Sequence, residues 1–186
     1  METQLRDLIE KCSEGNREAQ YKLYKMYSPL LYGVALRYSY NQTTAEDILQ
    51  DSFVKIFANI QEFRFAGSFE GWLKKVVINT AITGFYKDRK HHHHADLTDY
   101  EDTLPDENAE FDSAEFTREE LQNVIDSLPE GYKMIFNLYA IEGFKHREIA
   151  EMLGIDINTS KSQFMRARES IIRKLTELKQ FKKSVL

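Results

Sequence analysis

Apolar residues recur at steps of three and four along most of this chain, the spacing that lines one face of an α-helix. Leu5, Leu8, Ile9 and Cys12 form the first stripe, which ends at Gly15-Asn16. Ala19, Leu23, Met26 and Tyr27 form the second, and Ser28-Pro29 then stands in its path. Proline has no backbone N–H, so a kink or a restart is expected before Leu31, Val34, Ala35 and Tyr38. Tyr40-Asn41-Gln42 reads as a turn, and Thr43 with Glu46 three positions later has the spacing of a capping box. The helix it opens turns Leu49, Phe53, Ile56 and Ile60 inward and gathers Glu46, Asp47, Gln50 and Asp51 on an outer, acidic face. Thr117 with Glu120 caps another helix through Leu121, Val124, Ile125 and Leu128, which Pro129 breaks. A helix over Glu130 to Ile141, with Ile135 and Leu138 inward, closes at Gly143. No useful stretch alternates with the period of a strand, so the expected fold class is all-α.

The segment from Lys145 to Leu175 organises the second half of the chain. Ile149, Ala150 and Leu153 set a helix that stops at Gly154, and Asn158 or Thr159 can cap a new one. In the second helix Ser160, Phe164, Ala167, Ile171 and Leu175 share the inward face, while Lys161, Ser162, Met165 and Arg166 lie on another. A helix, a tight glycine turn and a helix with cationic and hydroxyl side chains in its first turns are what a DNA-reading helix-turn-helix requires. Two helices of a bundle with a solvated basic face would give the same periodicity. Charge separates the two: Lys145 to Lys183 holds ten Lys or Arg against five acids, whereas the whole chain carries −5. A segment that opposes the average in this way favours a polyanion as partner.

Phe63 to Lys90 departs from bundle habits. Phe63, Phe65, Phe69 and Trp72 crowd together with Arg64 and two glycines, and Trp72, Lys75 and Asn79 then share one helix face. Most of these rings, Trp72 included, are expected to pack. Aromatic platforms, cations and a polar side chain are also the means of holding an unpaired base, and six basic residues (64, 74, 75, 87, 89, 90) against two acidic ones support that use.

Composition adds boundaries. From Asp96 to Glu120 eleven acids face one base, Arg118, with few apolar residues, so a mobile linker is expected. The expected organisation is a first domain over 1–90, a flexible acidic linker over 91–115 and a second domain over 116–186. At 186 residues, 42% hydrophobic and 30% charged, the chain is ordinary for a soluble globular protein. It has no apolar run of membrane-spanning length, and its N-terminus has acids where a signal peptide needs bases, so a cytoplasmic location is expected. Cys12, the single cysteine, is expected as a buried thiol. Consecutive His91 to His94 do not by themselves build a closed metal site, and neither a metal nor any other cofactor is expected.

These residues resemble the sigma factors of bacterial RNA polymerase, in particular the short extracytoplasmic-function type, over almost the whole chain. AEDILQDSFVKIF (45–57) is similar to the helix of region two that docks on the polymerase; Phe63 to Leu73 with Ile78 to Ala81 is similar to the promoter-melting region. LPEGYKMIF from Leu128, EIAEMLGI and TSKSQFMRAR resemble region four. The resemblance implies a protein that is not an enzyme and has no small-molecule substrate, whose partners are core RNA polymerase, promoter DNA and an anti-sigma factor, often membrane-anchored. It implies upstream-element contacts by Lys161, Ser162, Met165 and Arg166, with Thr159, Arg147 and Arg168 on phosphates. It implies capture of an unpaired minus-ten base in the loop from Phe63 through Arg64 to Phe69 and against Asn79, with Lys75, Lys87, Arg89 and Lys90 on nearby backbone. Asp47, Gln50 and Asp51 match the docking face, and the acidic linker would thread polymerase channels that otherwise carry nucleic acid. The chain departs from the family in three places: Ser160 stands where an apolar residue is usual, Gln163 where a base is common, and His146 where a Ser or Thr cap is usual.

Two other readings fit less of the chain. A stand-alone helix-turn-helix regulator gives the stretch around Trp72 no purpose. A metal-dependent enzyme built on His91 to His94 and linker carboxylates would need rigid placement that a flexible tether does not provide.

Overall fold

The computed structural model describes the backbone of residues 2–91 and 115–185, with the side chains of 4–87 and 115–184. Helices α1 (Glu2–Ser13), α2 (Arg17–Arg37), α3 (Gln42–Asn59) and α4 (Phe69–His91) form the first unit, with a 3₁₀ turn at Ile60–Glu62. Helices α5 (Arg118–Asp126), α6 (Glu130–Phe136), α7 (His146–Leu153) and α8 (Ile157–Val185) form the second, with a π-helical turn at Asn137–Ile141 after α6. The chain divides into two compact units, Met1–His93 and His94–Leu186. The protein is thus all-helical over its described residues, with two helical domains. None of the described helices is long and apolar enough to cross a membrane.

The first unit closes around Leu23, Leu31 and Val34 of α2, Ile56 of α3 and Leu73, Val77 and Ile78 of α4, all essentially without solvent contact. Against this α1 lays Leu8, Ile9 and Cys12, and the thiol is only 1% exposed. Burial pushes the Cys12 thiol above its ordinary pKa, which keeps it protonated and inert.

Two expectations fail here. Helix α2 does not restart at Pro29 but continues through it. The proline is exposed, so water can serve the carbonyl that its absent N–H would have satisfied, while the buried residues on either side keep the chain helical. Helix α3 is capped by Asn41, whose side chain accepts the Thr44 N–H at 2.7 Å, and Thr43 lies inside the first turn. Asn41 has the extended backbone that an N-cap needs, and that decides the matter.

In the second unit the Thr117 capping box is present in full: Thr117 Oγ1 accepts the Glu120 N–H at 3.2 Å and the Glu120 carboxylate accepts the Thr117 N–H at 2.9 Å. Leu128, Met134, Ile135, Leu138, Ile149, Ala150, Leu153, Ala167 and Leu175 fill the core. The π turn is marked by the Glu142 N–H donating to the Asn137 carbonyl at 3.0 Å, and Gly143 follows with φ 77°. Helix α7 opens with the Lys145 N–H donating to the Glu148 carboxylate at 2.8 Å, and it ends at Gly154 in the left-handed region (φ 59°). Helix α8 starts earlier than expected. Asp156, not Asn158 or Thr159, caps it, its carboxylate accepting the Asn158 N–H at 2.7 Å. The inner stripe of α8 also differs: Gln163 is 4% exposed, with no hydrogen-bond partner for its Oε1 among the described residues.

Candidate nucleic-acid interface

In the first unit the short loop between the 3₁₀ turn and α4 is built on stacked rings. Phe63 lies 5.0 Å from Phe65, 5.0 Å from Phe69 and 5.8 Å from Trp72 by ring centroids. Phe69, 5% exposed, stacks on Trp72 at 16° and meets the edge of Tyr27. It is therefore the floor of the cluster, with Phe63 half-buried above it and Arg64 and Phe65 exposed. Phe65 is the one described non-glycine residue with positive φ (55°), a strained conformation for a ring-bearing side chain. The guanidinium of Arg6 on α1 lies 4.4 Å over its ring. Ser68 Oγ accepts the Gly71 N–H at 3.2 Å and so ties the loop to the start of α4.

From that loop α4 carries the polar part of the surface. Lys75 and Asn79 are exposed one turn apart, with Trp72 half-buried beside them, and Lys87 is exposed further on. Lys74 is engaged by Glu70 at 2.7 Å. The side chains of Arg89 and Lys90 lie outside the described residues, as do those of His91 to His94. On α3, Asp47, Gln50 and Asp51 are all exposed, and Val54 continues the same face at 69% exposure. Val54 breaks the inward stripe, and that was its signal in the sequence; nothing in the sequence links Arg6 to Phe65.

In the second unit the first turns of α8 expose Lys161 and Ser162 and leave Thr159, Met165, Arg166 and Arg168 half-buried. The Ser162 hydroxyl donates to the Thr159 carbonyl at 3.1 Å. Arg147, exposed on α7, pairs with Glu151 at 3.3 Å. Behind this face His146 Nδ1 and the hydroxyl of the fully buried Ser160 are hydrogen-bonded at 3.0 Å. Two residues that depart separately from the family pattern are thus partners. Among the described residues no group of three or more His, Cys, Asp or Glu is placed to hold a metal ion.

The family model "Sigma-70 region 2" matches residues 23–91, and "Sigma-70, region 4" matches residues 118–171. The chain belongs to the sigma-70 family. Region 2 accordingly lies in the first unit and includes the aromatic loop and α4, and region 4 lies in the second and includes the helix-turn-helix. Relatives place the protein in the extracytoplasmic-function (ECF) group. The ECF RNA polymerase sigma-E factor of Haemophilus influenzae is 28% identical, the alignment covering 96% of this chain and 100% of that protein. ECF RNA polymerase sigma factor SigW of Bacillus subtilis is 27% identical over 96% of this chain and 100% of its own. SigE of Mycolicibacterium smegmatis is 29% identical over 81% of this chain, which spans 59% of that relative's length. The fold is similar to that of the sigma factor RpoE of Bartonella quintana, solved with the anti-sigma factor NepR (TM-score 0.53, 22% identity, 84% of this chain and 96% of that one). It is also similar to CnrH, solved with the cytosolic domain of CnrY (TM-score 0.51, 20% identity, 92% and 97%). As an ECF sigma factor the protein directs promoter-specific transcription initiation, and its family is not one of enzymes.

Proposed function

We propose that the two regions divide promoter recognition between them, region 4 reading the upstream (minus-thirty-five) element and region 2 holding an unpaired base of the minus-ten element. The observation that carries this is the exposure of Lys161 and Ser162 in the first turns of α8, together with an exposed Asn79 and Lys75 beside a loop built on packed rings. Lys161, Ser162, Met165 and Arg166 face the groove, and Thr159, Arg147 and Arg168 serve phosphates. In region 2, Phe63 and Arg64 line the base site over the floor made by Phe69, and Asn79 reads the base edge. Phe65 supplies a further ring face. Lys75, Lys87, Arg89 and Lys90 hold the strand by charge.

Core RNA polymerase docks on Asp47, Gln50 and Asp51 of α3, where exposed Val54 adds an apolar contact. In the free state an anti-sigma factor covers these surfaces. The domains divide as 1–90, 91–115 and 116–186, and the protein works in the cytoplasm, where polymerase and promoters are found. No cofactor has a role in this scheme.

Permanganate footprinting of open complexes tests it. With core polymerase present, Asn79→Ala is expected to reduce thymine reactivity across the minus-ten element by about tenfold, the order of one lost base contact. Duplex capture upstream should be unchanged. Lys161→Ala should do the converse, weakening capture and relaxing its dependence on the upstream sequence. Equal effects of both variants on both readouts would overturn the division of labour.

A further inference from the structure

Region 4 contains a polar contact that its helix-turn-helix geometry does not by itself require. Ser160, in the first turn of α8, has no solvent exposure, yet it places a hydroxyl against α7. The atom opposite is Nδ1 of His146, the first residue of α7, at 3.0 Å. Two aromatic rings box the half-buried imidazole over part of its surface. Tyr139, carried by the π turn, stacks on it at 4.3 Å and 15°, and Phe164, one turn beyond Ser160, presents itself at 5.8 Å and 64°. Phe164 in turn lies 4.4 Å from Tyr139 and stacks on Phe136 at 6.1 Å. Burial holds the His146 imidazole below its ordinary pKa, and the charge of Lys161 acts in the same direction, so the ring in this box is neutral near pH 7.

The position of this contact gives it consequence. Ser160 is flanked by Thr159 on one side and by Lys161 and Ser162 on the other, the residues assigned above to DNA. Side chains on a helix are fixed relative to one another, so a bond at Ser160 sets both the rotation of α8 about its axis and its advance toward the groove. Apolar contacts at Phe164 and Ala167 resist separation of the helices but are non-directional. A hydrogen bond is directional.

We propose that the His146–Ser160 hydrogen bond is the positioning contact of the recognition helix, so that His146 sets upstream-element discrimination without touching DNA. This rests on the reading that the first turns of α8 enter the groove. The pair acts as one unit: removing either partner strands the other in the box and frees the helix to rotate.

The test uses the full-length protein with core polymerase, on promoter fragments recovered by run-off transcription from genomic DNA. Each fragment is taken with its upstream element intact and with that element shuffled, and the ratio of transcript yields is the discrimination. Ser160→Ala, which removes one oxygen, and His146→Phe, which keeps a ring to stack on Tyr139, should each lower the ratio by about fivefold, as for a part-buried hydrogen bond broken on one side. His146→Asn carries a polar atom as many bonds from Cα as Nδ1 and should restore the ratio to within about twofold of wild type, a rescue that a purely space-filling role would not give. The double variant His146→Phe/Ser160→Ala should be no worse than either single one. Unchanged ratios in both single variants, or losses that add in the double, would overturn the proposal. Absence of promoter-dependent transcripts with the wild-type protein would instead overturn the promoter reading on which it rests.

Discussion

The stability of region 4 has a pH dependence whose sign follows from one residue. His146 has its pKa pushed below the ordinary 6.5, first by burial and then by Lys161, while in the unfolded chain the ordinary value returns. Between those two values the unfolded state holds more protons, so the stability contributed by neutral His146 is fully present above about pH 6.5 and is lost as pH falls toward the depressed value. Thermal melts at about pH 7.5 and about pH 5.5 should therefore show a larger drop in Tm for the wild type than for His146→Asn, which has no such proton to bind; equal drops would refute it. Gly154 sets a second residue-scale expectation. Its φ of 59° suits glycine, and a Cβ there would meet nothing within 4 Å, so the cost of Gly154→Ala is conformational alone. A loss of about 1 kcal/mol, on the order of 5 °C in Tm, is expected by calorimetry, and no loss would mean that the turn relaxes. The glycine was legible from the sequence because its role is local. The His146–Ser160 bond was not: both residues stood out as departures, but a contact between residues fourteen apart, set by the angle between two helices, leaves no periodic trace.

Helix α8 does two jobs along its 29 residues. Its first turns carry the side chains proposed for DNA, and its last turns hold the entry to region 4. There Phe116 and Val124 pack on Leu175, with Leu121, Ile171 and Leu178 around them. Lys182 pairs with Glu120 at 2.7 Å and lies over the Phe116 ring, and Lys179 pairs with Glu115. The Lys182 ammonium, and after it the Thr117 N–H, hold the Glu120 carboxyl below its ordinary pKa. Removing residues 177–186 takes away Leu178 and both lysines and bares Phe116. The exposed ion pairs contribute little and the apolar cover most, so a loss of about 2 kcal/mol, on the order of 10 °C in Tm, is expected in a circular-dichroism melt. An unchanged Tm would show that the helix end is dispensable. At this scale the sequence revealed the helices better than their ends. Thr43 and Asn41, like Asn158 and Asp156, are competing caps, and the choice fell to the residue whose side chain accepts the first free N–H of the helix in the folded chain. Pro29 likewise pointed to a break that burial on both sides of it prevented.

Over the whole molecule the charge is partitioned: a chain of −5 keeps basic residues at α4 and over the helix-turn-helix, and its acids on α3 and in the stretch from Asp96 to Glu120. That partition and the order of motifs made the two-region organisation legible without coordinates, because each region carries its own helical stripes and its own surface chemistry. Of the expected linker, residues 92–114 lie outside the described residues, while its last residue, Glu115, and the adjoining Phe116 contact Lys179 and Lys182 of α8, more than sixty residues later. The most direct measurement is run-off transcription with core RNA polymerase on sheared genomic DNA, with and without this protein. The expected result is a set of discrete transcripts that need both the polymerase and the protein and that weaken with Asn79→Ala and with Lys161→Ala. No polymerase-dependent transcripts, together with tight, salt-sensitive binding of the protein alone to duplex DNA, would contradict it and point to a self-sufficient operator-binding regulator.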